Sequence, residues 1–147
     1  GEDVTEAVPV RLTLVDFLRG TLGLTGSHVG CEHGVCGACT LEVDGTMVRG
    51  CLMFAVQADG SAITTIEGLA EGERSVAMRQ AFTNRNALQC GYCTPGMLAS
   101  AIEYVESGGA ADRSAIREHI SGNYCRCTGY QAVVDAVCDV IEGRVST

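Results

Sequence analysis

Nine cysteines stand in a chain of 147 residues, and eight of them fall into two quartets. Cys31, Cys36, Cys39 and Cys51 make the first, and Cys90, Cys93, Cys125 and Cys127 the second. Thiolates are soft ligands suited to zinc or to iron–sulfur clusters, and thiol pairs can also close disulfides or carry redox chemistry. A framework of disulfides would leave one of nine cysteines over, and the chain is longer than most disulfide-stapled domains. The spacing points to metal binding in a reducing compartment, and the expected location is cytoplasmic.

The first quartet reads C-x4-C-x2-C, with its fourth cysteine after eleven further residues. That is the ligand spacing of a plant-type [2Fe–2S] cluster. Gly30, Gly34 and Gly37 let the loop wrap tightly and take positive φ where needed. Their amides, with that of Ala38, are expected to point at cluster sulfurs and tune the potential. Zinc sites show paired C-x2-4-C knuckles, which this quartet lacks. A Rieske centre needs two histidines, and His33 has no C-x2-H partner downstream, so it is read as a loop residue. The second quartet joins C-x2-C to C-x-C across the stretch from Cys93 to Cys125, a pattern that suits zinc as well as iron. A redox dithiol at Cys90 and Cys93 is disfavoured, since no βαβ pattern surrounds it.

The elements that must position these thiols change character along the chain. Leu14, Val15, Leu18 and Leu22 follow helical spacing, with Gly23 closing the segment. Thr40–Val43 and Thr46–Arg49 flank Asp44-Gly45 as a hairpin, and Ala55–Gln57 with Ile63–Ile66 is expected to make a second one. The polar run EGLAEGER (67–74) reads as a linker. Helices are then expected over Ser75–Ala87, from Thr94 (N-cap) and Pro95 to Gly108, from an Asp112 cap, and beyond Thr128. In the last of these Val133, Val134, Val137, Val140 and Ile141 face inward. Both quartet-two junctions can reach one end of such a bundle, where the helix starts after Thr94 and Thr128 favour an anionic site.

Apolar residues make up 46% and charged residues 19%. That composition is globular. No apolar run approaches the roughly 20 residues needed to span a bilayer, so direct membrane insertion is not expected. Ten arginines and no lysine face eighteen acids, a net charge of −8. Up to Gly68 nine acids meet three arginines (−6), and from Leu69 nine meet seven (−2). An acidic first half disfavours nucleic acid and suits a basic protein surface.

Taken together, GCEHGVCGACT (30–40), ALQCGYCTPGM (87–97) and GNYCRCTGY (122–130) resemble the small iron–sulfur subunit of the molybdenum hydroxylase family. That family includes xanthine dehydrogenase, aldehyde oxidoreductase, molybdenum–copper carbon monoxide dehydrogenase and bacterial N-heterocycle hydroxylases. The resemblance runs from about Val10 to Glu142. It implies an α+β chain: a plant-ferredoxin-like (β-grasp) [2Fe–2S] domain over residues 1–68, a linker at 69–74, and a four-helix [2Fe–2S] domain over 75–147. It also implies iron at the second quartet, which spacing alone leaves open.

Carried over by residue, Cys31, Cys36, Cys39 and Cys51 ligate a cluster lying toward FAD on a medium subunit. Cys90, Cys93, Cys125 and Cys127 ligate one lying next to the molybdopterin cofactor of a large subunit. Gln89 and Cys127 match positions close to that pterin, although an amide such as Gln89 can equally hold its own loop together. Tyr92, Met97, Tyr124 and Tyr130 flank the second quartet and either exclude water or simply pack. His28 and His119 are read as surface or packing residues, and Cys138 as a small buried hydrophobe. Family members begin with a strand before the segment that starts here at Gly1, so a stretch of ordered N-terminus is expected to be missing from this sequence. The expected role is an electron relay in a heterotrimer or its dimer, with no substrate-turnover residues on this chain. A freestanding two-cluster carrier and a zinc-stabilised interaction module are the rival expectations.

Overall fold

Thr13 opens the first helix by a reciprocal contact, the pattern of a helix N-cap. Its hydroxyl accepts the Asp16 amide at 3.2 Å and donates to the Asp16 carboxylate at 2.7 Å. The computed structural model describes residues 1–69 and 71–145. Ala70, within the expected linker, and Ser146 and Thr147, at the end of the expected helical domain, lie outside the described residues. Helix α1 runs Leu14–Gly20 and buries Leu14, Val15 and Leu18. Gly23, at φ +71°, then turns the chain out so that the Leu24 amide reaches the Leu18 carbonyl. Glycine takes such an angle at no steric cost.

Strands β1 (Thr40–Val43) and β2 (Thr46–Arg49) pair in the expected register, Thr40 opposite Arg49 and Val43 opposite Thr46. Asp44 and Gly45, at φ +51° and +78°, supply the turn. Two positive angles in succession are what a two-residue hairpin loop requires. The second expected hairpin does not form. Ala55–Ala58 winds into a 3-10 turn, because the Gln57 side chain satisfies the Phe54 amide at 2.8 Å. Such a local bond favours a turn over a ladder. Strand β3 (Ile63–Thr64) instead pairs with β1, giving the antiparallel order β2-β1-β3. Leu14, Leu18, Leu41, Val43 and Ala58 form the small core between α1 and this sheet.

Ile66, expected to end a strand, instead opens one helical turn, α2 (Ile66–Leu69), which runs into the stretch read as a linker, and α3 already begins at Glu73 and ends at Asn84. Helices α4 (Thr94–Glu106), α5 (Arg113–His119) and α6 (Gln131–Ile141) follow. Thr94 does not cap α4: Cys93 holds the cap position, and Thr94 and Pro95 are the first helical residues. Asp112 does cap α5, accepting the Ala115 amide at 2.7 Å. The larger core gathers Met78 and Phe82 of α3, Met97 and Ile102 of α4, Ile116 of α5, and Val133, Val134 and Val137 of α6. Val140 and Ile141 are half-buried at its edge. Cys138 is buried in the same core, as expected of a small apolar residue. Among the described residues no helix is long and apolar enough to cross a membrane.

One buried carboxylate locks α6 to the end of α3. Asp139 accepts Arg85 through both oxygens, at 2.5 and 2.9 Å, and Arg144 at 2.9 Å. The Arg85 guanidinium holds the Asp139 carboxyl below the usual carboxylate range, with burial opposing and Arg144 assisting. A depressed folded value means that this stabilisation is complete above about pH 4 and fades as the pH falls below it. Asp139→Asn is expected to cost about 1.5–3 kcal/mol near neutrality. Thermal unfolding followed from neutral toward acid pH should show the gap to wild type narrowing.

Candidate metal centres

The loop between α1 and β1 carries three cysteines of the first quartet, and the β1–β2 hairpin returns the fourth. The Gly50 amide bonds the Cys39 carbonyl at 3.1 Å, which sets Cys51 beside Cys39. The loop's tight path uses positive φ at Glu32, Gly34 and Gly37. Gly30 needs no such angle; a Cβ there would crowd the Cys36 sulfur at 3.1 Å. Two backbone amides of the loop donate to a cysteine sulfur. His33 and Cys36 each donate to Cys31 Sγ at 3.4 Å, because the loop curls around that sulfur. Those amides, His33 first, pull the Cys31 thiol down to about 6. Burial pushes Cys39 up to about 11. His33 is exposed and offers this site its backbone.

Cys90 and Cys93 lie in the turn that leads into α4, and Cys125 and Cys127 between α5 and α6. Gln89 spans the two segments, its Nε2 donating to the Cys127 carbonyl at 3.1 Å. The Cys90 and Cys127 sulfurs are 3.6 Å apart and both residues are exposed, whereas Cys93 and Cys125 are half-buried. Burial pushes Cys93 up to about 12. At Cys125 burial pulls the same way, but the hydroxyl and amide of Thr128 overcome it and lower the thiol. Helix α6 begins at Gln131, so Thr128 caps no helix; its hydroxyl faces the Cys125 sulfur at 3.1 Å instead. Tyr130, at φ +68°, turns its phenol back to accept the Cys125 amide at 2.8 Å.

The eight thiols meet as four pairs: Cys31 with Cys36, Cys39 with Cys51, Cys90 with Cys127, and Cys93 with Cys125. Among the described residues no three Cys, His, Asp or Glu side chains converge on one point where a lone ion would sit. Two pairs per site fit a two-iron cluster, in which each iron takes two thiolates, better than a tetrahedral zinc. The residues present therefore suit a [2Fe–2S] group at each quartet.

The two loops also touch each other. The Tyr124 amide donates to the Cys36 carbonyl at 2.8 Å. Buried Asn123 donates through Nδ2 to the Gly37 carbonyl at 3.1 Å and accepts the Ser100 hydroxyl at 2.9 Å. Arg49 donates to the Gly122 carbonyl at 2.9 Å and also to the Thr40 hydroxyl. Tyr92 donates its phenol to the Val29 carbonyl at 2.7 Å and stacks on His28, whose Nδ1 donates to the Tyr92 carbonyl at 2.8 Å. Tyr92 and His28 thus join the two loops, a role that spacing did not indicate. His119 packs on the Tyr104 ring and bonds the Ser100 carbonyl and Glu103. Met97 is core, and Tyr124 is exposed.

Backbone meets backbone at this junction. A Cβ on Gly96 would fall 2.0 Å from the Gly37 carbonyl oxygen, and one on Gly37 2.5 Å from the Gly122 carbonyl oxygen. Gly96→Ala must push α4 off the first loop, at a cost of about 1–3 kcal/mol. Thermal unfolding and iron content should both fall. Gly20→Ala, where a Cβ meets nothing within 4 Å, should leave both unchanged.

Comparison with known proteins places this geometry among relatives. Residues 1–70 match the model of the 2Fe-2S iron-sulfur cluster binding domain, and residues 65–138 that of the [2Fe-2S] binding domain. Caffeine dehydrogenase subunit gamma of Pseudomonas sp. (strain CBB1) is 50% identical over 145 residues, covering 95% of this chain and 86% of that protein. Nicotine 6-hydroxylase small subunit of Paenarthrobacter nicotinovorans is 50% identical over 139 residues, covering 95% and 84%. The crystal structure of quinoline 2-oxidoreductase from Pseudomonas putida 86 superposes with a TM-score of 0.86 at 49% identity, over 92% of this chain and 85% of that one.

Proposed function

Because this chain belongs to the family of small iron–sulfur subunits of the molybdenum hydroxylases, we propose that it relays single electrons from a molybdopterin centre on a large subunit, through two [2Fe–2S] clusters, to FAD on a medium subunit. Cys31, Cys36, Cys39 and Cys51 hold one cluster in a ferredoxin-like domain (1–68). Cys90, Cys93, Cys125 and Cys127 hold the other in a four-helix domain that opens with α3. The complex is a heterotrimer or its dimer, and it works in the cytoplasm.

The observation that carries this reading is the hydrogen bond from the Tyr124 amide to the Cys36 carbonyl. It joins a ligand of one site to the residue before a ligand of the other, so a short through-bond route runs between them. The exposed pair Cys90 and Cys127 supports an entry point at the protein surface. Gln89, tied to the Cys127 carbonyl, holds that pair's loop and presents its remaining amide atoms to the pterin of the large subunit. The chain's own part is to fix the thiols, keep water from the buried pair Cys39 and Cys51, and supply hydrogen bonds to sulfur. The relatives' names, caffeine, nicotine and quinoline, support an N-heteroaromatic substrate for the large subunit.

Iron and acid-labile sulfide in the purified complex should correspond to two clusters per chain. Dithionite reduction should give two distinct EPR signals. Cys36→Ser should abolish or alter one signal and Cys93→Ser the other. Zinc in place of iron, or a single signal, would reject the relay.

A further inference from the structure

We propose that Thr128 raises the reduction potential of the cluster held by Cys90, Cys93, Cys125 and Cys127, by donating its hydroxyl proton to the Cys125 sulfur. The inference rests on the ligand assignment above. Three bonds fix the threonine. Its hydroxyl lies 3.1 Å from Cys125 Sγ, its amide donates to the same sulfur at 3.4 Å, and its oxygen accepts the Tyr130 amide at 3.3 Å. With the Tyr130 amide on an oxygen lone pair, the proton is left to point at sulfur.

Among the described residues, no other side-chain hydroxyl donates to any of the eight sulfurs. Cys31, the other sulfur that receives several donors, takes backbone amides. The distinction has a physical consequence. Reduction adds one electron to the cluster and spreads negative charge onto its sulfurs, and a hydrogen bond strengthens as its acceptor gains charge. The hydroxyl therefore stabilises the reduced form more than the oxidised one. Cys125 is half-buried, where weaker screening enlarges that difference. Thr128 in this way makes the second site a better electron acceptor, while the first site lacks a counterpart. It touches a ligand and no substrate, so its role is to position and tune.

The experiment is an EPR-monitored redox titration of the purified complex carrying Thr128→Val, which keeps the shape and loses the donor, or Thr128→Ser, which keeps the donor. Thr128→Val should shift the midpoint of the second cluster to more negative potential. Thr128→Ser should restore the wild-type value, and the first cluster, as internal reference, should stay unmoved in both. An unshifted midpoint in Thr128→Val, with the second signal intact, would overturn the role of Thr128 and leave the ligand assignment standing. If neither Thr128→Val nor Thr128→Ala assembles the second cluster while Thr128→Ser does, the hydroxyl serves assembly and the tuning role is overturned. A wild-type complex without a second signal would overturn the ligand assignment and this inference together.

Discussion

The side-chain amide of Asn123 lies buried between two loops that are far apart in sequence, and the arrangement of both candidate centres depends on it. Nδ2 holds the Gly37 carbonyl, two residues before Cys39, and Oδ1 receives the Ser100 hydroxyl of α4. An unpaired amide in such a place costs about 1–3 kcal/mol, so these partners act as a set. Gly37 and Gly96 permit the approach by leaving out side chains where two backbones meet. Arg49, at the end of β2, completes the junction from the side of the sheet. The sheet unit and the helical unit are thereby locked at one orientation, and the separation of the two thiol sets is built into the fold.

Local features of this architecture were legible in the sequence. The Asp44-Gly45 turn set the β1–β2 register, and Asp112 marked the start of α5. The apolar stripe of α6 pointed to its buried face, and the cysteine spacings located both thiol groups. What was not legible depends on contacts made elsewhere. Ala55–Gln57 has strand-like composition, yet Gln57 closes a turn on Phe54 and leaves the edge of β1 to Ile63. Thr128 resembles a helix cap, but Gly129 and Tyr130 both take positive φ and delay α6, which frees the hydroxyl for sulfur. Asn123, Tyr92 and His28 carry no spacing pattern, because their partners lie in distant segments of the chain. The amides around Cys31 belong to His33 and Cys36, since loop curvature, which composition does not encode, decides which N–H faces inward.

Exposure is graded across the thiol pairs. Cys39 and Cys51 are buried under Val15, Cys31 with Cys36 and Cys93 with Cys125 are intermediate, and Cys90 with Cys127 stand at the surface. A charge placed at the open end is solvated by water or a partner, and one at the closed end by fixed dipoles alone. The protein therefore controls each position by different means: packing at the closed extreme, and hydrogen bonds from neighbouring side chains and backbone where the thiols are more open.

The bond between the Tyr124 amide and the Cys36 carbonyl is made by main chain on both sides. Its geometry is indifferent to the side chains at either position, proline at 124 excepted, because proline has no N–H to give. Tyr124 is exposed, so its side chain can change while the junction beneath stays the same. What this face shows to solvent and what holds the two loops together are set by different atoms.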